Sequence, residues 1–281
     1  MKSWTLELPA PAKINLFLRV TGWRADGLHE LETRFQFLEI ADTLRFEVLP
    51  HGIRRIDRHD FALPAEDLIV RAAKLLQAHC PRAAERGVAI TLRKIIPPGS
   101  GLGGGSSNAA TTLLALNHLW GLELSRERLA ELAPRLGADV AVFVRGRAAH
   151  ARGVGEMLTP FDSPERWLCV CLPPVQVSTA EVFARVKMEP RTDDDDDANA
   201  DDGARNDLEP IAAALHPQVA DALARLQRCG DARMSGSGGA VYAAFDSHAQ
   251  AMHAAVSMPR ELRARVTRSI NRHPLLDFPR D

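Results

Sequence analysis

Hydrophobic and polar residues alternate along the first part of the chain, which predicts antiparallel β-strands. Residues 4–20 are expected to form one strand with Lys13 and Asn15 on the same face. The apolar positions expected on its other face are Ile14, Leu16, Leu18 and Val20. For this strand alone, a solvated polar face is the simpler interpretation. Alternating runs at 31–37 and 44–48 follow, so several antiparallel strands open the chain.

Apolar residues then recur every three or four positions, which is the spacing of amphipathic helices. This spacing predicts helices after Asp67, after the glycines at 99–105 and after Ser125, and one further helix over 208–228. Residues 50–64 are expected to be loop. Further strands are expected at 88–96, 167–172, 240–245 and 263–270. This mixture of helices and strands predicts the α+β class.

A turn-rich stretch after Val144 is where we expect a domain boundary. It would divide the chain into an N-terminal domain of residues 1–155 and a C-terminal domain of residues 156–281. Residues 189–207 contain five consecutive aspartates and no apolar periodicity, which predicts a mobile acidic loop. A cation-binding run is the alternative, although ordered oxygen ligands need spaced positions and defined turns.

Composition narrows the class of protein. The 281 residues are 46% hydrophobic and 25% charged with a net charge of -1, so no overall charge attracts nucleic acid or a membrane surface. The four cysteines lack C-x-x-C spacing, which favours core thiols in a reducing cytoplasm over disulfides or metal ligands. No run reaches about 18 apolar residues. We therefore expect a cytoplasmic protein with no nucleic-acid or membrane partner. The sequence leaves open whether it is a monomer or a homodimer.

Candidate chemistry concentrates in a glycine-rich stretch between a predicted strand and a predicted helix. Five of the seven residues at 99–105 are glycine, directly after Pro97 and Pro98. Glycine lets a backbone approach a ligand closely, and the first amides of a helix are unpaired donors at the positive end of its dipole. Ser106 and Ser107 are placed to cap the helix or to contact phosphate or a metal. The stretch predicts an anion site, with a tight connection as the alternative.

Two common phosphate-binding motifs are excluded. The Walker A motif ends in Gly-Lys-Ser/Thr, but Gly104 is followed by Gly105 and Ser106. Gly99, Gly101 and Gly104 spell G-x-G-x-x-G, yet two prolines separate this pattern from the strand and a helix occupies the span after it. The rest of the chain must therefore indicate what the loop binds.

Three stretches, in this order, resemble the signature motifs of the GHMP kinases. They are Pro-Ala-Lys13-Ile-Asn15-Leu, then Pro-Pro-Gly-Ser-Gly-Leu-Gly-Gly-Gly-Ser-Ser-Asn, then Ser-Gly-Ser-Gly-Gly. The runs Arg24-Ala-Asp-Gly-Leu-His29, Asp67-Leu-Ile-Val-Arg-Ala-Ala and Leu136-Gly-Ala-Asp139-Val resemble members that phosphorylate a cytidine diphosphate-linked polyol in non-mevalonate isoprenoid biosynthesis. The resemblance covers nearly the whole chain. It implies a two-domain α+β kinase that uses ATP and Mg²⁺, with the active site in the cleft between the domains.

The resemblance also implies roles for individual residues. Lys13 and Asp139 match the catalytic pair, with Asp139 as general base and Lys13 as its charged partner, which also orients the hydroxyl. The positions matching the ATP site are Asp67, Lys94, Pro98, Gly99, Ser100, Gly101, Leu102, Gly103, Gly104, Gly105, Ser106, Ser107 and Asn108. Of the two serines, Ser107 is preferred as the contact to phosphate or magnesium. No protein ligand of the magnesium is assigned.

The positions matching the substrate site are Asn15, Leu28, His29, Phe183 and Gly238. His29 is expected to hydrogen-bond to the cytosine edge, and Phe183 to stack on its face. Leu28 stands where the family has an aromatic residue, so we expect pyrimidine binding weaker by about 0.5–1.5 kcal/mol.

A second departure from the family pattern lies near the nucleotide base, where Asp67 replaces an asparagine. Two alternatives stay open: another small-molecule GHMP kinase, acting on mevalonate, homoserine or a sugar, and a catalytically silent ligand sensor on the same fold. His29 and Phe183 favour the cytidine substrate, and the presence of both Lys13 and Asp139 argues against the sensor.

Overall fold

The structure is a computed structural model, and it describes residues 5–186 and 205–279. The elements of the N-terminal half are β1 (Thr5–Trp23), β2 (His29–Leu49), β3 (Ile53–Asp57), α1 (Leu68–His79), β4 (Gly87–Arg93), α2 (Gly104–Leu119), α3 (Arg126–Leu132), α4 (Val140–Arg145), β5 (Ala149–Arg152) and β6 (Met157–Pro160). Those of the C-terminal half are β7 (Trp167–Cys171), α5 (Thr179–Phe183), α6 (Glu209–Leu215), α7 (Pro217–Leu226), β8 (Ala232–Met234), β9 (Val241–Phe245), α8 (His248–Ser257) and β10 (Arg265–Ile270). The predicted α+β class is confirmed.

One sheet runs through both halves, in the order β3-β4-β2-β10-β7-β9-β8. Strand β2 pairs antiparallel with β1, β4 and β5. Strand β10, near the end of the chain, pairs antiparallel with β2 on one side and with β7 on the other. The C-terminal strand therefore joins the two halves of the sheet.

Two predictions about secondary structure are wrong. Residues 50–64 were expected to be loop, but β3 at Ile53–Asp57 pairs in parallel with β4. An edge strand needs one partner only and buries little surface, so its sequence carries a weak pattern. The single helix expected over 208–228 is two helices, because Pro217 has no N–H to continue α6 and instead begins α7.

The alternation predicted for β1 is also wrong in its second part. The pairing of β1 with β2 shifts register between Asn15 and Leu18, which is the signature of a β-bulge. Leu18 consequently lines the same cleft as Lys13 and Asn15. Ile14, in contrast, packs in a different hydrophobic cluster from Leu18. One irregularity thus divides the apolar residues of the strand between two cores.

The hydrophobic core has three parts. One lies between the N-terminal sheet and helices α1, α2 and α4, and a second lies between the C-terminal strands and α6, α7 and α8. The third contains Ile14, Leu102, Val170 and Tyr242, which come from both halves. All four cysteines are free, and three of them are buried.

The expected domain boundary at residue 155 stays a prediction. Strand β6, which lies just beyond it, pairs with β5 and so belongs to the N-terminal part of the sheet. Most of the predicted acidic loop at 189–207 lies outside the described residues. Its last three residues are described, and two backbone hydrogen bonds attach Arg205 and Asp207 to Leu18 of β1.

Candidate active site

A cleft of about 440 Å³ lies beside β1, and residues of both halves line it. Its walls come from β1 and β2, the glycine loop at 97–106, the residues before α4, the helix α5 and the second glycine loop at 236–237. This volume is within the range of small-molecule sites. The two glycine-rich stretches found in the sequence, 135 residues apart between Gly101 and Gly236, therefore face one space.

The glycine loop has the backbone shape of an anion cradle. Gly99, Gly101 and Gly103 have φ angles of 66°, 73° and 68°, which side-chain-bearing residues rarely adopt. Gly103 is the N-cap of α2, and the N–H groups in the first turn of a helix have no intrahelical acceptors. A Cβ on Gly101 would lie 2.1 Å from the carbonyl oxygen of Ser235. Glycine at this position lets the two loops touch.

Hydrogen bonds hold the glycine loop against β1 and the second loop. The N–H of Lys13 donates to the carbonyl of Leu102 at 2.9 Å. The Ser235 hydroxyl donates to the carbonyl of Gly101 at 3.1 Å and accepts from the N–H of Asn15 at 3.2 Å. Ser235 is fully buried, and our reading of the sequence assigned it no role. Nothing in the sequence links it to Asn15, which is 220 positions away.

Lys13 and Asp139 meet in the cleft. The Lys13 Nζ lies 3.2 Å from an Asp139 carboxylate oxygen, with the lysine side chain 4% exposed and the aspartate 30% exposed. Asp139 immediately precedes α4, but its side chain does not cap that helix. The same ammonium donates to the Asn15 amide oxygen, and the Asn15 amide donates to the Thr33 hydroxyl at 2.9 Å. An ion pair open on the aspartate side can receive a substrate hydroxyl.

Lys94 lies beneath the glycine loop. Its Nζ contacts Asp42 at 2.6 Å and Asn108 at 3.0 Å, and all three side chains are buried. The other Asp42 oxygen accepts from the N–H groups of Ile95 and Ile96 at 2.7 and 2.9 Å. Asp42, which our sequence reasoning also missed, therefore anchors the segment that enters the loop. The contact between Lys94 and nucleotide stays a prediction.

Asp67 has a structural role at the start of α1. Its carboxylate accepts from the N–H groups of Ile69 and Val70, and it forms an ion pair with Arg55 at 3.0 Å. The next residue, Leu68, lines the cleft. Asparagine could cap the helix equally well, so the ion pair with Arg55 is the contact that favours an acid at this position. The contact between Asp67 and nucleotide stays a prediction.

The two serines at the start of α2 are placed differently. Ser106 lines the cleft, whereas Ser107 is fully buried, and within the described residues its hydroxyl has no hydrogen-bond partner. Among the described residues, no three His, Cys, Asp or Glu side chains form a metal cluster. The oxygen ligands available here are the Asp139 carboxylate and the hydroxyls of Ser106 and Ser107. This set fits Mg²⁺, which binds proteins through one or two carboxylates and through substrate phosphates. The preference for Ser107 over Ser106 stays a prediction, and the placement favours Ser106.

Of the residues predicted to contact the pyrimidine, Phe183 lines the cleft, whereas Leu28 and His29 are not among its lining residues. The rings of His29 and Phe183 lie 5.1 Å apart between centroids, and Phe183 lines the cleft. His29 is buried, and its Nε2 has no partner in the part of the chain that the structure describes. Leu28, in contrast, is 52% exposed. The structure adds an aromatic residue that our sequence reasoning did not assign, Trp23, whose ring centroid lies 4.5 Å from that of His29.

Gly238 is not among the residues that line the cleft. Its neighbours Gly236 and Ser237 line it instead, and a Cβ on Gly238 would lie 2.7 Å from the sulfur of Met234. The second loop is held by Asn206, whose amide donates to the carbonyls of Met234 and Gly236.

Comparisons with known proteins agree with this geometry. Residues 67–147 match the family model "GHMP kinases N terminal domain", and residues 195–264 match "GHMP kinases C terminal". The 4-diphosphocytidyl-2-C-methyl-D-erythritol kinase of Pseudomonas paraeruginosa is 47% identical over 95% of this chain and 94% of its own length. The Thiobacillus denitrificans protein of the same name is 46% identical over 96% and 97%.

Solved structures show the same likeness. A crystal structure of 4-(cytidine 5'-diphospho)-2C-methyl-D-erythritol kinase has a TM-score of 0.79 and 36% identity, covering 94% of this chain and 99% of its own. Homoserine kinase from Cytophaga hutchinsonii, at 18% identity and a TM-score of 0.72 over 96% and 95%, shares the fold. The chain therefore belongs to the GHMP kinases, within the family of 4-diphosphocytidyl-2-C-methyl-D-erythritol kinases.

Proposed function

We propose that this protein is an ATP-dependent kinase that phosphorylates the 2-hydroxyl of 4-diphosphocytidyl-2-C-methyl-D-erythritol in isoprenoid precursor biosynthesis. The observation that carries the proposal is the ion pair of Lys13 and Asp139, 3.2 Å apart in a cleft that the glycine loop also lines. The named relatives, 46–47% identical over nearly the whole chain, support the choice of substrate.

Asp139 is the group that takes the proton from the acceptor hydroxyl. As the O–H bond breaks, the hydroxyl oxygen forms a bond to the γ-phosphorus of ATP, and the bond from that phosphorus to the β–γ bridging oxygen breaks. The leaving group is ADP, so atoms and charge balance with no further reactant. Asp139 is 30% exposed and faces the cleft, which leaves room for the hydroxyl beside it.

Lys13 positions this base and stabilises charge. Its ammonium is fixed by Asn15 and Asp139, with Thr33 holding the Asn15 amide from the next strand. A buried cation beside the reacting oxygens stabilises the negative charge that develops during transfer. The buried network restricts the side chains, so little reorganisation is needed when substrate binds.

The glycine loop is suited to hold the triphosphate. Its left-handed glycines and the first turn of α2 direct backbone N–H groups toward an anion, and the loop lines the cleft on the side facing Lys13. Magnesium, when bound, would neutralise phosphate charge, with Asp139, Ser106 and Ser107 as the protein oxygens near it. The triphosphate and the acceptor hydroxyl are thus received on two sides of one cleft.

A substrate panel tests the proposal. Purified protein with ATP and magnesium is offered the cytidine substrate and, separately, mevalonate, homoserine and galactose, and ADP release is followed. We expect turnover with the first compound and ³¹P NMR showing a new phosphomonoester at its 2-position. Background ADP release with that compound would overturn the proposed function. Preferential turnover of mevalonate, homoserine or galactose would identify another GHMP kinase activity.

The prediction of a cytoplasmic monomer or homodimer belongs to the same proposal. No helix in the described ranges is long and apolar enough to cross a membrane. Light scattering on the purified protein gives the oligomeric state directly.

A further inference from the structure

The aromatic residues around His29 form a row of three rings. The Trp23 and His29 centroids lie 4.5 Å apart, and the His29 and Phe183 centroids lie 5.1 Å apart. Trp23 ends β1, and His29 begins β2 directly opposite it in the antiparallel pairing. Residues directly opposite each other in such a pair project from the same face of the sheet. Trp23 is therefore fixed on the face that carries His29.

Leu28 lies just outside the strand, one residue before β2 begins at His29. The carbonyl of Leu28 accepts from the N–H of Arg24, which continues the pairing by one step beyond Trp23 and His29. Leu28 is 52% exposed and aliphatic. Position 28, which is aromatic in the family pattern, therefore offers no ring to a ligand. Trp23, which was assigned no role from the sequence, lies against His29.

The indole of Trp23 has a free surface. The residue is 58% exposed although it is the largest side chain of the hairpin. His29, in contrast, is buried, and its Nε2 has no partner among the described residues. A planar heterocycle that hydrogen-bonds to the edge of the His29 ring would also cover part of the exposed apolar surface of the Trp23 indole. A base that stacks on an aromatic side chain gains binding free energy whatever its identity, because every base has a π-face.

We propose that Trp23 supplies the second aromatic contact to the pyrimidine of the substrate, in place of residue 28. This inference rests on the proposed function, because it takes the cytidine diphosphate group as the ligand. Trp23 then contributes to the affinity for the pyrimidine, with Phe183 as the other ring and His29 as the hydrogen-bonding edge. The loss of an aromatic residue at position 28 is compensated from the neighbouring strand.

Calorimetry with cytidine diphosphate as the probe tests the contact on the full chain. Trp23→Ala should weaken binding about tenfold to a hundredfold, the range found when a stacking side chain is removed. Leu28→Ala should weaken it less than Trp23→Ala. The matched control is Phe161→Ala, because Phe161 is an aromatic residue that is 39% exposed and contacts Arg34 outside the cleft. This control should bind the probe like the wild type.

A second variant separates stacking from folding. Trp23→Phe keeps an aromatic ring, so its affinity should stay within about threefold of the wild type. Cytidine diphosphate should quench indole fluorescence in the wild type, and this signal should be lost in Trp23→Phe although binding persists. In steady-state kinetics, Trp23→Ala should raise KM for the cytidine substrate and leave KM for ATP unchanged.

Several outcomes would overturn the inference. They are wild-type affinity in Trp23→Ala, a larger loss in Leu28→Ala, and no binding of cytidine diphosphate by the wild type. Failure of the proposed function is distinguishable from these. If the protein binds cytidine diphosphate through Trp23 but shows no kinase activity, the contact stands and the reaction does not. If the kinase is active and Trp23→Ala retains the wild-type KM, only the contact fails.

Discussion

At the scale of single residues, the position of Asp139 decides whether its carboxylate can react. Residues that precede a helix commonly use a side-chain oxygen to cap it. Asp139 precedes α4, yet its side chain makes no cap hydrogen bond and instead pairs with Lys13 at 3.2 Å. The positive end of the α4 dipole and the lysine both favour a negative charge at this point. The carboxylate is therefore held in place while its outer side stays open to a ligand.

Replacing Asp139 by asparagine removes the proposed proton acceptor and keeps the size of the side chain. We expect Asp139→Asn to lower kcat by about a hundredfold to ten-thousandfold, because general-base catalysis contributes about this much. Binding of ATP, followed by calorimetry, should be largely kept. The control is Asp221→Asn, which removes an exposed carboxylate paired with Arg225 on α7. Wild-type kcat in Asp139→Asn would reject its role as the base.

His273 couples stability to pH. It is 2% exposed, and burial, together with the charge of Arg126, lowers its pKa from 6.5 to about 3. In the unfolded chain, the imidazole of His273 takes up a proton as pH falls below about 6.5. In the folded chain it does so only near pH 3. The stability from the neutral ring is therefore present above about pH 6.5 and is lost as pH falls through the window toward 3.

The variant His273→Asn isolates this effect. The Nδ1 of His273 accepts from the N–H of Leu275 at 3.0 Å, and an asparagine oxygen can replace it without titrating. Between pH 7 and pH 5 the wild type should lose about 2 kcal/mol more unfolding free energy than the variant. Urea unfolding of both proteins at the two pH values measures the difference. Equal losses in the two proteins would show that His273 does not titrate in this way.

At the scale of elements, the two glycine loops form one unit. Gly101 has a φ of 73°, and the space for its Cβ is taken by the Ser235 carbonyl oxygen at 2.1 Å. Ser235 in turn bonds to Gly101 and to Asn15, so the loops and β1 are fixed together. A change at their contact should therefore displace the amides that face the cleft.

Gly101→Ala tests the contact against a matched glycine. Gly121 has a φ of 63° with nothing near its missing Cβ, so Gly121→Ala adds only the strain of the left-handed backbone, about 1–2 kcal/mol. Gly101→Ala adds a backbone clash to that strain. We expect it to lower kcat/KM for ATP by more than tenfold, whereas Gly121→Ala should keep turnover. Similar kinetics in the two variants would mean that the loop contact does not position the nucleotide.

The sequence predicts these elements unequally, for physical reasons. The glycine loop, the helix after it and the shared face of Lys13 and Asn15 follow from local composition and alternation. The bulge before Leu18 cannot be predicted in this way. An extra residue in one strand leaves the apolar pattern of the sequence unchanged, but it moves every later side chain to the opposite face of the sheet. Asp42 is missed because a single aspartate has no local signature and its partners are distant in the chain. Ser235 belongs to the third motif, but no local pattern predicts its contact with Asn15, which is 220 positions away.

At the scale of the whole molecule, β10 makes the two halves one sheet. It pairs with β2 and β7, and a shared core of residues such as Ile14 and Tyr242 lies beside this junction. The buried Tyr242 hydroxyl donates to the carbonyl of Asn15 at 2.9 Å, so the C-terminal half directly contacts β1, the strand that carries Lys13. Both halves therefore support the walls of the cleft. A ligand can bind there only when both halves are folded together.

Ligand-induced stabilisation follows from this construction. A ligand that binds only the folded chain adds about 2.7 kcal/mol to the unfolding free energy at a free concentration of 100 times its Kd. ADP with magnesium and cytidine diphosphate should each raise Tm. If they occupy two sides of the cleft, their combined shift should exceed either shift alone, as measured by calorimetric unfolding. The control, Asp221→Asn, should show the same two shifts because Asp221 is an exposed residue of α7 that does not line the cleft. A combined shift equal to the larger single shift would mean that the two compounds compete for one site, and the two-sided cleft would be wrong.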